Sequence, residues 1–447
     1  MKYNNEFILR FEFFGGLMYS SFDQGIYIID YMDSVFLDCI KNKYKYETSI
    51  KIVEKVFDCD HYKPNIKEML NYGFLTKSRE IKDYENDYNC WNIKEYKKII
   101  SKAQKRKYLS SPIEVSIYPS SFCQLNCKFC YFSNKKNKYV KCNSSESWIK
   151  LIDVLKEKNV IYLSILGGEP TLYYDIDKIL IHANKIKMKT TITTNGLHIK
   201  SSTFDIICKS KYITPTISIQ SLTEHNYKYM GVSSNKIVKT IDKFIEKGKI
   251  PRINSVIYNQ SKEEIYELID FCVLRGITQY SLNIYMPLGN SLRDKDDFSY
   301  YKELDCNIQS YLLKKKYNNI SVNIQGCLFY SAFYDECDSP VKNEFDKIIY
   351  GCEAGQTKVE IMPDGTLLPC TAFDINDFNY ENVFEKNFND IWENSYSLNI
   401  LRNYKIEDKK CAKCKYNDFC NGGCPAYNVR KNKSLTKKGD DRCKVVL

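Results

Sequence analysis

The sequence predicts an α/β fold: a partial (β/α)6 TIM-like barrel with a winged-helix-like domain before it and a cysteine-rich domain after it. Three observations predict this. Six strand patterns alternate with amphipathic segments between residues 113 and 289, the signature of a parallel sheet with its site at the strands' C-terminal ends. Ahead of them, three short strand patterns precede three helical ones. Behind them, eight of the nineteen cysteines crowd into residues 337–447, where helical patterning is sparse.

In residues 1–85 the strand patterns are ILRFEFF, LMYSS and GIYII, broken by Gly15-Gly16 and Asp23-Gln24-Gly25. Helical patterns run from about Asp33 to Lys43, from Thr48 (a candidate N-cap) to Phe57, and from Pro64 to Tyr72. Pro64 suits a first turn and Gly73 a stop. Residues 86–112, ending in the basic, turn-rich SKAQKRKYLSSP, read as a linker. The barrel takes residues 113–330. Its strands are EVSIY (114–118), IYLSIL (161–166), KTTITT (189–194), TISIQ (216–220), RINSVIY (252–258) and YSLNIY (280–285). Residues 331–447 form a last domain with too little apolar surface to fold alone, so metal centres are expected to organise it.

Composition narrows the class. The 447 residues carry 66 Lys and Arg against 55 Asp and Glu, and the resulting charge of +11 allows an acidic partner without marking nucleic acid. No apolar run approaches eighteen residues, and Arg10 and Glu12 interrupt FILRFEFFGGLMY, so a signal peptide and a membrane span are both excluded there. A cytoplasmic protein with reduced thiols is expected, which makes metal or cluster binding the leading use of nineteen cysteines. The scattered Cys39, Cys59, Cys90, Cys142, Cys208, Cys272 and Cys306 are expected to be small buried hydrophobes.

SSFCQLNCKFCYF sets Cys123, Cys127 and Cys130 just beyond the first barrel strand. One loop can wrap three thiolates around three irons of a cubane, leaving the fourth iron open to a substrate or cofactor. Chance alone gives roughly 0.03 occurrences of CxxxCxxC at this cysteine content. With Phe129 before its last cysteine, the motif resembles that of the radical S-adenosylmethionine superfamily over the whole barrel region, and a single structural zinc is the competing use. The resemblance implies a 4Fe–4S cluster on Cys123, Cys127 and Cys130. It also implies S-adenosylmethionine on the open iron and a 5′-deoxyadenosyl radical that takes hydrogen from an unactivated carbon. Gly167-Gly168-Glu169-Pro170 looks like the family's GGE motif, with Glu169 meeting the methionine amine and the glycines passing close to the ligand. Thr193, Thr194, Asn195 and Gly196 would line the site. Ser218 and Gln220 would face the carboxylate or ribose, although relatives often carry Ser-x-Asp there. Asn254 and the backbone from Tyr285 to Gly289 would complete the ribose and adenine contacts.

Farther on, Cys352 precedes KVEIMPDGTLLPC, whose Asp364-Gly365 is a hairpin signal that can return the chain and bring Cys352 near Cys370. CAKCKYNDFCNGGC then supplies Cys411, Cys414, Cys420 and Cys424, with Gly422-Gly423 for a tight turn, and Cys443 follows. This array resembles the SPASM extension, which carries two auxiliary 4Fe–4S clusters and brings the expected total to three. By that resemblance Cys352, Cys370 and Cys424 serve auxiliary cluster one, and Cys411, Cys414, Cys420 and Cys443 serve cluster two. The fourth ligand of cluster one is Cys337, with Cys327 in reserve, or that iron is open. Tetrahedral zinc also fits a CxxC spacing.

The strand–helix pattern of residues 1–85 resembles the PqqD-like peptide-recognition element of ribosomal-peptide maturases, in which a leader peptide adds a strand to the module's edge. GIYII (25–29) is the apolar edge for it, recognised through backbone hydrogen bonds and alternate side-chain pockets. IVEKVF and NIKEML are mixed in charge, so no DNA-reading helix stands out. The combined expectation is an enzyme that modifies a ribosomally made precursor peptide, forming a thioether between a cysteine sulfur and a carbon. Its partners would be that peptide and a low-potential donor such as flavodoxin or ferredoxin, with neither nucleic acid nor membrane. Carbon–carbon cross-linking is the rival reaction, and a non-catalytic iron–sulfur electron carrier is the rival class. The histidines His61, His182, His198 and His225 stand at no metal spacing and read as structural or surface residues.

Overall fold

A computed structural model describes residues 1–20, 25–77, 90–135, 142–285, 298–326, 344–349 and 351–443, which divide into two units, Met1–Ser111 and Pro112–Leu447. Cys327, Cys337 and the backbone from 286 to 289 lie outside the described residues.

The first unit opens with β1 (Lys2–Tyr3), β2 (Phe7–Glu12), β3 (Gly15–Ser20) and β4 (Ile26–Ile29). Helices α1 (Tyr31–Lys41), α2 (Tyr46–Phe57) and α3 (Ile66–Asn71) follow, then β5 (Leu75–Thr76) and α4 (Cys90–Gln104). Strands β2, β3 and β4 form an antiparallel sheet with β4 at one edge, and β1 pairs with β5. Val35, Phe36 and Leu37 of α1 and Ile52 and Val53 of α2 are buried in its core. Helix α2 starts earlier than expected: Lys45 is its cap, without a side-chain bond, and Thr48 sits inside the first turn. Asn65 caps α3 by accepting from Glu68 N, and Gly73 ends it at φ +78°.

The expected linker is the main departure. Much of it is α4, which buries Tyr96, Ile100 and Ala103 against the module's core. Its basic residues hid three apolar positions at helical spacing. The unit closes on a buried ion pair: the Glu12 carboxylate accepts from Arg10 Nε at 2.8 Å and from Ser110 N at 2.6 Å.

The second unit alternates as expected. It runs through β6 (Glu114–Ile117), α5 (Ser145–Glu157), β7 (Tyr162–Ile165), α6 (Ile176–Lys185), β8 (Lys189–Thr194), α7 (Ser201–Lys209) and β9 (Ile213–Ser218). It continues with α8 (His225–Met230), α9 (Ser234–Glu246), β10 (Arg252–Val256), α10 (Lys262–Leu274), β11 (Gln279–Asn283), α11 (Phe298–Lys315) and β12 (Ser321–Gln325). After α12 (Glu344–Ile349) come the hairpin strands β13 (Lys358–Ile361) and β14 (Leu367–Leu368). Five short helices end the described chain: α13 (Phe388–Asn394), α14 (Tyr396–Arg402), α15 (Lys409–Ala412), α16 (Asn417–Cys420) and α17 (Pro425–Asn432).

One sheet carries nine strands in the order β12-β11-β10-β9-β8-β7-β6-β13-β14. Strands β6 to β12 are parallel and consecutive, so the barrel has a seventh strand, SVNIQ, whose polar alternation concealed it. The β13–β14 hairpin continues this sheet, with β13 parallel to β6. Barrel and cysteine-rich region therefore share one unit. Ile192, Ile217, Ile253 and Leu282 are buried, whereas Thr193, Ser218, Asn254 and Ser281, one position along, are only half-buried. That alternation gives the sheet one apolar face under the helices and one polar face. Of the scattered cysteines, Cys39 and Cys272 are buried as expected, but Cys59 and Cys208 are half-buried and Cys142 and Cys306 exposed. The side chain of Cys90 lies outside the description.

Candidate active site

The loop leaving β6 holds Cys123, Cys127 and Cys130, all half-buried. It is folded on itself by Leu125 N donating to Cys123 Sγ at 3.4 Å and Cys130 N to Cys127 O at 3.2 Å. It is also braced from outside: Lys128 N donates to Tyr229 O at 3.0 Å, and Cys127 Sγ lies 3.9 Å from Met230 O, both on α8.

The turn after β7 packs directly on this loop. Gly168 N donates to Ser120 O at 3.0 Å and Glu169 N to Phe122 O at 2.7 Å. A Cβ on Gly167, at φ +139°, would stand 2.5 Å from Ser120 O, and one on Gly168 would strike Phe122 O. The two glycines are thus required by the chain's own backbone, where a ligand had been expected to demand them.

Glu169 is 1% exposed. Its Oε1 accepts from Thr171 N (3.2 Å), Thr171 Oγ1 (2.7 Å) and Thr194 Oγ1 (2.6 Å), and its Oε2 from Asn195 N (2.8 Å). Asn195 Oδ1 in turn accepts from Gln124 Nε2 at 3.1 Å, tying the end of β8 to the cysteine loop. Burial raises the Glu169 pKa above the usual carboxylate value although these hydrogen bonds oppose it. All four donors are neutral, so a bound ammonium group would supply the cation that this carboxylate has not been given.

Strand register brings Ser218 beside Asn254, whose side-chain oxygen accepts from Asn283 Nδ2. Gln220 is 1% exposed, and its Oε1 accepts from Val256 N at 2.9 Å and Gln260 Nε2 at 3.2 Å, so it fastens the end of β9 to β10. The Phe129 ring lies 6.1 Å from Tyr258, which lies 5.3 Å from the buried Tyr285 and 5.8 Å from Tyr229. Gln124, Tyr229, Tyr258 and Asn283 were missed from sequence. Tyr258 had a signal, since it stands four residues beyond Asn254 and so shares its face by the two-residue alternation. His182 and His225 pair with Asp153 and Glu264.

The hairpin turn at Asp364-Gly365 is closed by Met362 N to Thr366 O at 2.9 Å, with Gly365 at φ +96°. Cys352, Cys370 and Cys424 converge on one apolar cluster with Phe373 and Leu401. Burial pushes the Cys370 thiol up to about 12, with Glu360 and Cys424 adding to it, and raises Cys352 as well. Cys411, Cys414, Cys420 and Cys443 form a separate group. Burial pushes Cys420 up to about 12, and the other three thiols of its group raise it further. Gly422 and Gly423, at φ +82° and +98°, turn the chain between the two groups.

These seven half-buried thiols fit iron–sulfur ligation, because a metal displaces the thiol proton on binding. Among the described residues no three His, Cys, Asp or Glu side chains converge on a point where they could hold a single metal ion. A cubane does not require that, because each thiolate meets a different iron. No described helix is long and apolar enough to cross a membrane.

Comparison with known proteins agrees with this geometry. The radical SAM superfamily model matches residues 117–272, and the SPASM iron–sulfur cluster-binding domain matches residues 352–415. Streptococcus suis SuiB bound to S-adenosylmethionine is 32% identical, with 100% of both chains covered and a TM-score of 0.85. SuiB bound to precursor peptide SuiA is 31% identical over 99% of this chain and 100% of that one, also at 0.85. The PqqA peptide cyclase of Granulibacter bethesdensis is 21% identical over 308 residues, 68% of this chain and 79% of that protein.

Proposed function

The chain belongs to the radical SAM superfamily and carries its SPASM iron–sulfur domain, and from that membership we propose that it is a peptide maturase acting on a ribosomally made precursor. The observation that carries the proposal is the end-to-end likeness to SuiB, which has been seen with a precursor peptide bound. Bound iron–sulfur cluster and S-adenosylmethionine together supply a primary carbon radical able to remove hydrogen from an unactivated carbon.

The protein's own residues bind, orient and exclude. Cys123, Cys127 and Cys130 hold the cluster. The Glu169 carboxylate receives the methionine ammonium at the turn that Gly167 and Gly168 press onto the cysteine loop. Thr194 and Asn195 keep that carboxylate in place. Ser218 and Asn254 face the ribose or carboxylate, and Phe129, Tyr258 and Tyr285 make an apolar wall for the adenine, which also keeps water from the reacting carbon. The β4 edge takes the leader peptide as an added strand. A low-potential flavodoxin or ferredoxin donates the electron.

Within this class we assign thioether formation. Cys352, Cys370 and Cys424 give auxiliary cluster one three ligands, and an iron left open there would take a substrate thiolate. Carbon–carbon coupling is the second reading, and a relative named for cyclising a peptide is compatible with either bond. Coexpression with a short cysteine-bearing peptide, sought among the open reading frames beside this gene, followed by mass spectrometry, tests both. Loss of two hydrogens per link is expected. A thioether removes one alkylatable thiol per link, carbon–carbon coupling leaves every thiol reactive, and an unmodified peptide overturns the maturase reading.

A further inference from the structure

The six connections that lead from a barrel helix into the next strand lie together at the strands' N-terminal ends, because β7 to β12 are parallel. The cysteine loop leaves the other end, after β6. Counted from the last turn of each helix to the first residue of the following strand, the connections are residues 154–162, 182–189, 206–213, 243–252, 271–279 and 312–321. They carry thirteen Lys and two Arg against two Glu. Their excess of thirteen positive charges is larger than the +11 of the whole chain, so the remaining sequence is slightly acidic. Helix ends account for part of this: Lys156, Lys185, Lys209, Lys243, Lys314 and Lys315 stand in last turns, where a cation is favoured. The other nine lie beyond the helices.

These connections are fastened side by side. Lys156 Nζ donates to Lys187 O at 3.0 Å, Ser210 Oγ to Asn184 Oδ1 at 2.6 Å, Lys249 Nζ to Ser210 O at 2.6 Å and Ser321 N to Thr278 O at 2.8 Å. Neighbouring strands stand about 4.8 Å apart, well inside the ~10 Å over which salt screens charge, so the cations act as one field. Glu157, Asp242 and Asp270 each take one cation: Lys158 at 3.6 Å, Arg275 at 2.7 Å and Lys315 at 3.7 Å. Lys185, Lys187, Lys209, Lys247 and Lys316 are exposed. So are three aliphatic residues of the same connections, Ile250 at 41%, Leu274 at 82% and Leu313 at 78%.

We propose that this end of the barrel docks on an anionic membrane surface, with the lysines over the lipid phosphates and the three aliphatic side chains entering the headgroup layer. Other occupants fit less well. Protein interfaces favour Arg and aromatic anchors and are poor in Lys. Here Lys outnumbers Arg thirteen to two, and among the described residues of these connections no aromatic side chain is exposed. Nucleic acid would use the lysines but has no place for Leu274 and Leu313. An electron donor docked here would stand a strand's length from the cysteine loop, about 20 Å for a six-residue strand such as β8. The expectation of no membrane partner rested on the lack of a spanning segment, and a peripheral contact needs none. The surface does not depend on which reaction the opposite end performs.

The test is co-sedimentation of the full-length protein with vesicles of phosphatidylglycerol and phosphatidylcholine in equal parts, against vesicles of phosphatidylcholine alone. Binding is expected to the mixed vesicles only, and it should weaken steeply as salt rises. Lys185→Gln, Lys187→Gln, Lys209→Gln, Lys247→Gln and Lys316→Gln, made together, should weaken it at least about tenfold, and the same five changed to Arg should preserve it. A control variant changes five exposed lysines of the first unit, Lys43, Lys51, Lys55, Lys63 and Lys67, to Gln. It loses the same net charge and should keep its binding. Leu274→Gln with Leu313→Gln should weaken binding at unchanged charge, and that pair decides if the lysine variant does not fold. No binding to the mixed vesicles overturns the proposal, as do equal losses in the barrel and control variants, or binding indifferent to both the lysine and the leucine changes. A duplex RNA or polyglutamate held by the same five lysines more tightly than the vesicles overturns the lipid assignment as well.

Discussion

At Glu169, burial and hydrogen bonding oppose each other. Water is excluded from a carboxylate, yet four neutral donors surround it and no cation is among them. Replacing it with Gln turns one acceptor into a donor facing donors, which costs about 1–3 kcal/mol per buried group left unsatisfied. Glu169→Gln should therefore lower the melting temperature and weaken S-adenosylmethionine binding together, and isothermal titration alongside a thermal melt would show both. An unchanged affinity would reduce Glu169 to a strut between the turn and β8. The cysteine triad makes a sharper prediction. Alanine at Cys123, Cys127 or Cys130 should abolish 5′-deoxyadenosine formation, and iron content should fall by about four atoms as a cubane is lost. The triad stands out in the sequence because three cysteines at that spacing in one loop suit three irons of a cubane. The bonds of Gln220 could not be read from sequence because its partners, Val256 and Gln260, lie on the neighbouring strand and the turn after it.

Among the elements, β4 and α4 teach opposite lessons. GIYII was recognisable as a strand from its β-branched residues, and it does stand at a sheet edge with Ile28 exposed. If the leader peptide pairs there, Ile28→Glu puts a charge on the receiving edge. Precursor affinity should then fall about tenfold, equivalent to ~1.4 kcal/mol, while peptide-independent cleavage of S-adenosylmethionine persists. Fluorescence anisotropy of a labelled leader would measure the first and product chromatography the second. Unaltered affinity would remove β4 from the binding surface. Helix α4, by contrast, falls in the stretch whose sequence reads as a linker. Four lysines interrupt its apolar residues, and only packing reveals that Tyr96, Ile100 and Ala103 line one side of it. The seventh barrel strand escaped for the same reason: SVNIQ has the alternation of a strand but few of the residues that mark one.

For the whole molecule, the cluster count is the quantity to measure. Three cubanes predict about twelve irons and as many sulfides per chain after anaerobic reconstitution. A value near four would leave the C-terminal cysteines to another metal, and zinc in their place would appear in the same elemental analysis. What could be read along the chain was everything local: the cysteine spacings, the GGEP turn, the Asp364-Gly365 hairpin and six of the seven barrel strands. Such features depend on residues a few positions apart, whose geometry is set by bond lengths and φ/ψ preferences alone. What folding added was every relation across strands: Glu169 bonded to Thr194 and Asn195, Tyr258 between Phe129 and Tyr285, and Gln220 fastened to Val256. Those depend on sheet register and on which surfaces bury one another, quantities that no short stretch of residues contains.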